Sequence, residues 1–174
     1  MSAIILVLGR NGQVARELAK IGPPQDEALD DFELVFAGRE TFDLSSGSDP
    51  GALIDAHEPV AVINAAAYTA VDKAESEPEA AYRLNRDAPA SLALACAERD
   101  IPFVHFSTDY VFDGTKPEPY VEDDPIAPLG VYGHSKAEGE AAVLKAGGRA
   151  GILRTSWVSA SLNMVLTKFD PKAL

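Results

Sequence analysis

The chain has 174 residues, room for one domain that can bury about 70% of its unfolded surface without a disulfide or metal staple. Apolar residues make up 47% and charged residues 24% of it, which argues against a disordered chain, and 27 Asp and Glu against 15 Lys and Arg give a net charge of −12. A field of that sign repels phosphate backbones and anionic lipid, so neither nucleic acid nor a membrane is expected as a partner, and any anionic ligand must be held by local groups. No basic leader region precedes the apolar start at 4–8, and no apolar run approaches the ~20 residues of a membrane span, so the expected location is cytoplasmic. The single cysteine, Cys96, excludes an internal disulfide and reads as a small core residue.

Residues 4–8 (Ile-Ile-Leu-Val-Leu) are a continuous apolar run of strand length, followed by the turn Gly9-Arg10-Asn11-Gly12 and a helical stretch over 13–20. Gly22, Pro23 and Pro24, with the acidic stretch 26–31, read as a loop before a second strand at 34–37. A short helix over 50–57 precedes a third strand at 60–63. One long helix rich in Ala and Leu is expected over 78–99, and a fourth strand over 103–106. Residues 117–128 carry Pro117, Pro119, Pro125 and Pro128 among acidic residues and are expected to be a solvated loop. A helix from about 132 to 145 and a strand over 150–154 complete the pattern. Buried strands alternating with helices define the α/β class: a doubly wound, Rossmann-type parallel sheet with helices on both faces.

In such a sheet the turn after the first strand lies at the carboxyl edge, where free helix N–H groups and the positive dipole end face bound phosphate. Gly9-x-x-Gly12-x-x-Ala15 lets the backbone approach a pyrophosphate with no Cβ between them. The spacing alone also fits a plain strand-to-helix connection; its place after a first strand favours a dinucleotide. Cofactor choice belongs to the end of the second strand, where Arg39 follows Gly38. A guanidinium there pairs with a 2′-phosphate, with Arg10 assisting, so NADPH is expected over NADH. The other reading of Arg39 is a solvated loop cation.

Tyr132 and Lys136 are four apart and share one helix face. A free phenol, with a pKa of about 10, is a sluggish acid at neutral pH. A neighbouring ammonium is expected to lower that pKa and make the phenol a better proton donor to a carbonyl oxygen receiving hydride. Such spacing is also common on solvated helices, but Ser107-Thr108-Asp109 at the end of the fourth strand adds a hydroxyl for the developing oxyanion. His57, His105 and His134 show no ligand spacing with carboxylates or cysteine, and His105 reads as a packed, hydrogen-bonded strand residue.

Five blocks taken together carry a resemblance: Gly9-Arg10-Asn11-Gly12-Gln13-Val14, the run from Asn64-Ala65-Ala66-Ala67-Tyr68-Thr69 to Glu75, Ser107-Thr108-Asp109-Tyr110-Val111-Phe112-Asp113-Gly114, Tyr132-Gly133-His134-Ser135-Lys136, and Arg154-Thr155-Ser156-Trp157-Val158. In order and content they resemble the dTDP-4-dehydrorhamnose reductase family of extended short-chain dehydrogenases/reductases. The resemblance implies NADPH-dependent reduction of the 4-keto group of dTDP-4-dehydro-6-deoxy-L-mannose to dTDP-L-rhamnose. Tyr132 would be the proton donor, with Thr108 and Lys136 completing the catalytic set. It further implies that Gly12, Gln13 and Val14 hold the pyrophosphate, that Asp43 and Leu44 border the adenine, and that Ala65, Ala66 and Ala67 line the cofactor. Thr108, Asp109 and Trp157 would touch the sugar.

The same resemblance implies a homodimer around magnesium held by glutamates, with Glu17 in the first such position; a solvated carboxylate is the other reading of Glu17. Residues 1–158 are expected to be an NADP-binding domain, and 159–174 a remnant or the start of a substrate-binding region that another chain could complete. A non-catalytic NADP-binding regulatory subunit, and a sugar-nucleotide epimerase or dehydratase, are the alternative readings.

Overall fold

A computed structural model describes residues 2–21 and 32–156; the loop expected at 22–31, Trp157 and the segment 159–174 lie outside the described residues. The strands are β1 (Ala3–Leu8), β2 (Phe32–Ala37), β3 (Ala61–Asn64), β4 (Phe103–Thr108) and β5 (Ala150–Thr155). The helices are α1 (Gln13–Ile21), α2 (Pro50–His57), α3 (Val71–Ala74), α4 (Pro78–Tyr82), α5 (Ala88–Ala97) and α6 (Val131–Ala146). All strand pairs are parallel, in the order β2-β1-β3-β4-β5, so the winding reverses between β1 and β3. At such a reversal the loops leaving neighbouring strands diverge and open a crevice at the carboxyl edge. In the core, Leu6, Leu8 and Val62 of the inner strands meet Ile54 of α2, Leu92 and Cys96 of α5 and Val143 of α6. Burial pushes the Cys96 thiol up to about 12, which leaves it inert as a nucleophile.

The helix expected over 78–99 is not one regular helix. It runs as α4, a π-helical turn at Arg83–Asp87, and α5, ending at Ala97. The cause lies four residues after Asn85. Pro89 has no N–H for the Asn85 carbonyl, and its ring crowds that carbonyl, so the backbone widens locally. The freed carbonyl points at α6, where a Cβ on Gly139 would lie 1.9 Å from the Asn85 oxygen. Only a glycine lets the two helices approach so closely.

The proline-rich stretch 117–128 is exposed along much of its length but is tied down more than expected. Lys116 bonds Asp124 at 2.6 Å, Ala127 N donates to Val111 O at 2.9 Å, and Tyr120 stacks on Phe112. Among the described residues no helix is long and apolar enough to cross a membrane.

Candidate active site

The glycine turn follows from its backbone. Gly9 has φ +91°, in the left-handed region, and its N–H donates to Ala37 O of β2, while Gly12 N donates to Gly9 O at 2.7 Å. A Cβ at Gly9 would lie 2.7 Å from Ala66 N, so this glycine lets the turn press against the loop leaving β3. The two loops form one wall of a cleft of about 870 Å³, within the ~300–1,000 Å³ usual for small-molecule and cofactor sites.

Into that cleft open Gly9, Arg10, Asn11, Gly12, Gln13 and Val14 from the turn, Arg39, Asp43 and Leu44 after β2, and Ala65, Ala66 and Ala67 after β3. Thr108, Asp109, Tyr132 and Lys136 face it from the other side. Every cleft residue expected from the sequence that lies among the described residues is therefore brought to one place. Of the other expected residues, Trp157 is outside the described residues, and Glu17 sits on α1, bonded to Lys20 at 2.7 Å. Glu17 is one carboxylate on α1, and among the described residues no three His, Cys, Asp or Glu side chains gather into a metal site within the chain.

Tyr132 is 9% exposed and packs edge-on against Tyr110. Its phenol is raised above its ordinary range, chiefly by burial, while the nearby Thr108 hydroxyl pulls it back and the Asp109 charge pushes it further up. This differs from the expected lowering by Lys136. The Lys136 Nζ is directed away, to the Phe106 carbonyl and to His105 Nε2 at 3.3 Å. Burial lowers Lys136 itself to about 8, against the opposing pull of Glu140. Beside them, Ser107 Oγ is buried without a hydrogen-bond partner, a polar atom lining the cleft that a ligand could satisfy.

At the far end, Arg39 faces the cleft. Arg10 lies 3.7 Å from Glu40 in an exposed pair, weak enough to exchange for a bound anion. The Asp43 carboxylate accepts from both Ser45 N and Ser45 Oγ, which hold it below the usual carboxylate range. Its side chain therefore shapes the turn, and whatever it offers an adenine comes from its position.

Several residues that build the site carry no legible chemical signal. Asn85 accepts from Tyr68 N through Oδ1 and donates through Nδ2 to Tyr68 O and Ser135 Oγ, joining the cleft loop to the helix of Tyr132. Glu75 accepts from Val131 N at 2.8 Å and so caps α6 with a carboxylate at its positive end. Gly133 lets α6 lie on the Tyr110 carbonyl, since a Cβ there would be 2.3 Å from that oxygen. No local pattern connects Glu75 or Asn85 to a helix some fifty residues downstream.

A parallel sheet whose glycine turn, β3 loop and Tyr–Lys helix converge on one cleft has the architecture of the short-chain dehydrogenase/reductase class. Residues 2–169 match the family model described as the RmlD substrate binding domain, and the chain belongs to that family. It is 48% identical over 154 residues to a dTDP-4-dehydrorhamnose reductase of Sinorhizobium fredii, covering 88% of this chain and 50% of that protein. Among solved structures, a dTDP-4-dehydrorhamnose reductase from Clostridium acetobutylicum superposes with a TM-score of 0.82 at 35% identity, over 92% of this chain and 55% of that one. One from Bacillus anthracis, solved in complex with NADP, gives 0.82 at 32% identity, over 90% and 54%. The chain spans about half the length of the curated relatives it matches.

Proposed function

We propose that this chain supplies the cofactor-binding and proton-donating part of an NADPH-dependent ketoreductase that converts dTDP-4-dehydro-6-deoxy-L-mannose to dTDP-L-rhamnose. One observation carries the reading: the Gly9–Gly12 turn and the Thr108, Tyr132 and Lys136 side chains open into the same cleft. Family membership and the NADP complex of the Bacillus anthracis relative support it. The turn amides of 9–14 would take the pyrophosphate, Arg39 and Arg10 the 2′-phosphate, Ala65, Ala66 and Ala67 the cofactor's flank, and Lys136 the ribose hydroxyls. NADPH, when bound, supplies the hydride for the keto carbon.

The residues of the chain handle the proton. Burial keeps the Tyr132 phenol protonated at neutral pH, in the donor form, and the neighbouring Thr108 hydroxyl, which donates to Asp109 at 3.1 Å, offsets part of the rise. Thr108 and Asp109, with Trp157, would contact the sugar. Residues 1–158 form the nucleotide-binding unit in this reading, and the rest of the sugar-binding surface comes from a further segment or a second chain.

Calorimetric titration with NADPH and NADH, followed by NADPH oxidation on adding the dTDP-4-keto sugar, tests the proposal. NADPH should bind at least about tenfold more tightly, on the order of 1.4 kcal/mol. Equal or reversed affinities would remove the role given to Arg39, and no binding of either would remove the cofactor reading. Binding without turnover, alone and with candidate completing chains, would restrict the chain to holding the cofactor.

A further inference from the structure

We propose that His105, clamped as a neutral imidazole by Asn64, is a positioning residue that governs the protonation state of Lys136. The three side chains form a buried line from the carboxyl end of β3 across the middle of β4 to α6, with exposures of 1% for Asn64, 0% for His105 and 2% for Lys136. Asn64 and His105 are direct partners in the β3–β4 register. Asn64 Oδ1 accepts from Ala66 N at 3.1 Å, which fixes the amide so that its Nδ2 faces His105 Nδ1 at 3.2 Å.

An amide nitrogen only donates, so Nδ1 must be the bare nitrogen and the ring proton must sit on Nε2. Nε2 faces Lys136 Nζ at 3.3 Å. An ammonium has no lone pair for that N–H, whereas the neutral amine accepts it and still donates to the Phe106 carbonyl. Every group in the line is satisfied only when Lys136 is uncharged. To charge it, the ring must move its proton to Nδ1 and the Asn64 amide must turn over, setting its NH2 against the Ala66 N–H. Buried polar groups left facing each other in this way are costly, so the three move together.

Burial acts in the same direction on both titrating groups: it lowers Lys136 to about 8 and holds His105 well below the ordinary imidazole range, the latter helped by Lys136. The other charged and titratable groups around the lysine are Tyr132 and Glu140 on α6, Asp109 after β4, and Arg154 of β5. Glu140 is engaged by Arg154 through Nε at 3.0 Å and Nη2 at 2.7 Å, which offsets its pull on the lysine. The inference rests on the proposed cofactor reading only for its consequence, that affinity for the cofactor changes as Lys136 gains or loses charge.

The test begins with the unaltered chain. Long-range proton–nitrogen spectra should show His105 neutral and protonated on Nε2 at about pH 9, where Lys136 is uncharged; a proton on Nδ1 at that pH, or an imidazolium, would overturn the proposal. Next, the Lys136 side-chain resonance, assigned by its loss in Lys136→Arg, is titrated in Asn64→Asp. A carboxylate accepts where the amide donates, moving the ring proton to Nδ1 and freeing Nε2 to accept from an ammonium. The Lys136 midpoint should rise by about one pH unit or more. In Asn64→Asp/His105→Phe the added charge remains but the relay is gone, and the rise should largely disappear; a rise of equal size in the double variant would overturn the proposal. If neither variant folds, the tautomer in the unaltered chain decides. Failure of NADPH to bind would count against the cofactor reading and leave these readouts intact.

Discussion

Tyr132 shows how a residue's chemistry is set by what surrounds it. Its distance from Lys136 along the helix is fixed by sequence, yet Lys136 turns to the strand and the phenol is governed by burial and Thr108. Tyr132→Phe should lower turnover with the keto sugar, in a full-length or reconstituted protein, by at least about a hundredfold while leaving NADPH affinity within a few-fold. Undiminished turnover would remove the proton-donor role.

His105 carries a second consequence, for stability. Its folded pKa lies well below its ordinary value of 6.5, so as pH falls the unfolded chain takes up a proton that the folded chain refuses. Stability should therefore fall with pH below about 6.5, by up to ~1.4 kcal/mol per pH unit from this group. His105→Gln should flatten that part of a urea-denaturation profile. An unchanged acid slope would mean that the ring is not buried and neutral.

At the scale of elements, α6 is held from three directions, and each contact needs a particular small or polar residue. Glu75 caps its start, Gly133 admits the Tyr110 carbonyl, and Gly139 admits the Asn85 carbonyl released by the π turn. The π turn is thus a docking surface created by Pro89. Gly139→Ala tests this against ordinary helix preference. Alanine favours an exposed helix by ~1 kcal/mol over glycine, yet here the added methyl meets backbone that cannot yield cheaply. Net destabilisation of about 1–3 kcal/mol is expected from denaturant unfolding, and a stabilised variant would show that the two helices do not meet so closely.

Across the whole molecule, an acidic chain can take the proposed anionic cofactor because the attraction is local. Amides at 9–14, Arg10 and Arg39 line the cleft, while among the described residues most of the carboxylates lie elsewhere. Among the described residues β5 is an outer strand of the sheet, and Arg154 fastens it: the guanidinium grips the Glu140 side chain, 3% exposed, stacks over Phe112 and donates to the Glu122 carbonyl. It joins β5, α6 and the loop after β4. Arg154→Met leaves a buried carboxylate unpaired and should cost about 3 kcal/mol. Arg154→Met/Glu140→Leu should recover most of that loss, and an unaffected single variant would show that the pair is not a fastening.

The alternation of apolar strands with helices, the glycine turn and the Tyr–Lys spacing are local patterns, and from them the sheet class and the cleft residues of the turn, Arg39, Thr108, Tyr132 and Lys136 are readable, whereas Asp43, Leu44, Ala65, Ala66 and Ala67 follow only from the family resemblance. Strand ends were placed to within about two residues, because burial in a parallel sheet leaves continuous apolar runs. What the sequence alone left open depends on contacts between distant segments: the π turn, the capping of α6 by Glu75, and the direction in which Lys136 points. A local pattern states which face of an element is apolar and which residues are spaced together. The protonation states of Tyr132, His105 and Lys136 belong to the tertiary structure, because burial and hydrogen-bond partners exist only once β3, β4 and α6 have come together.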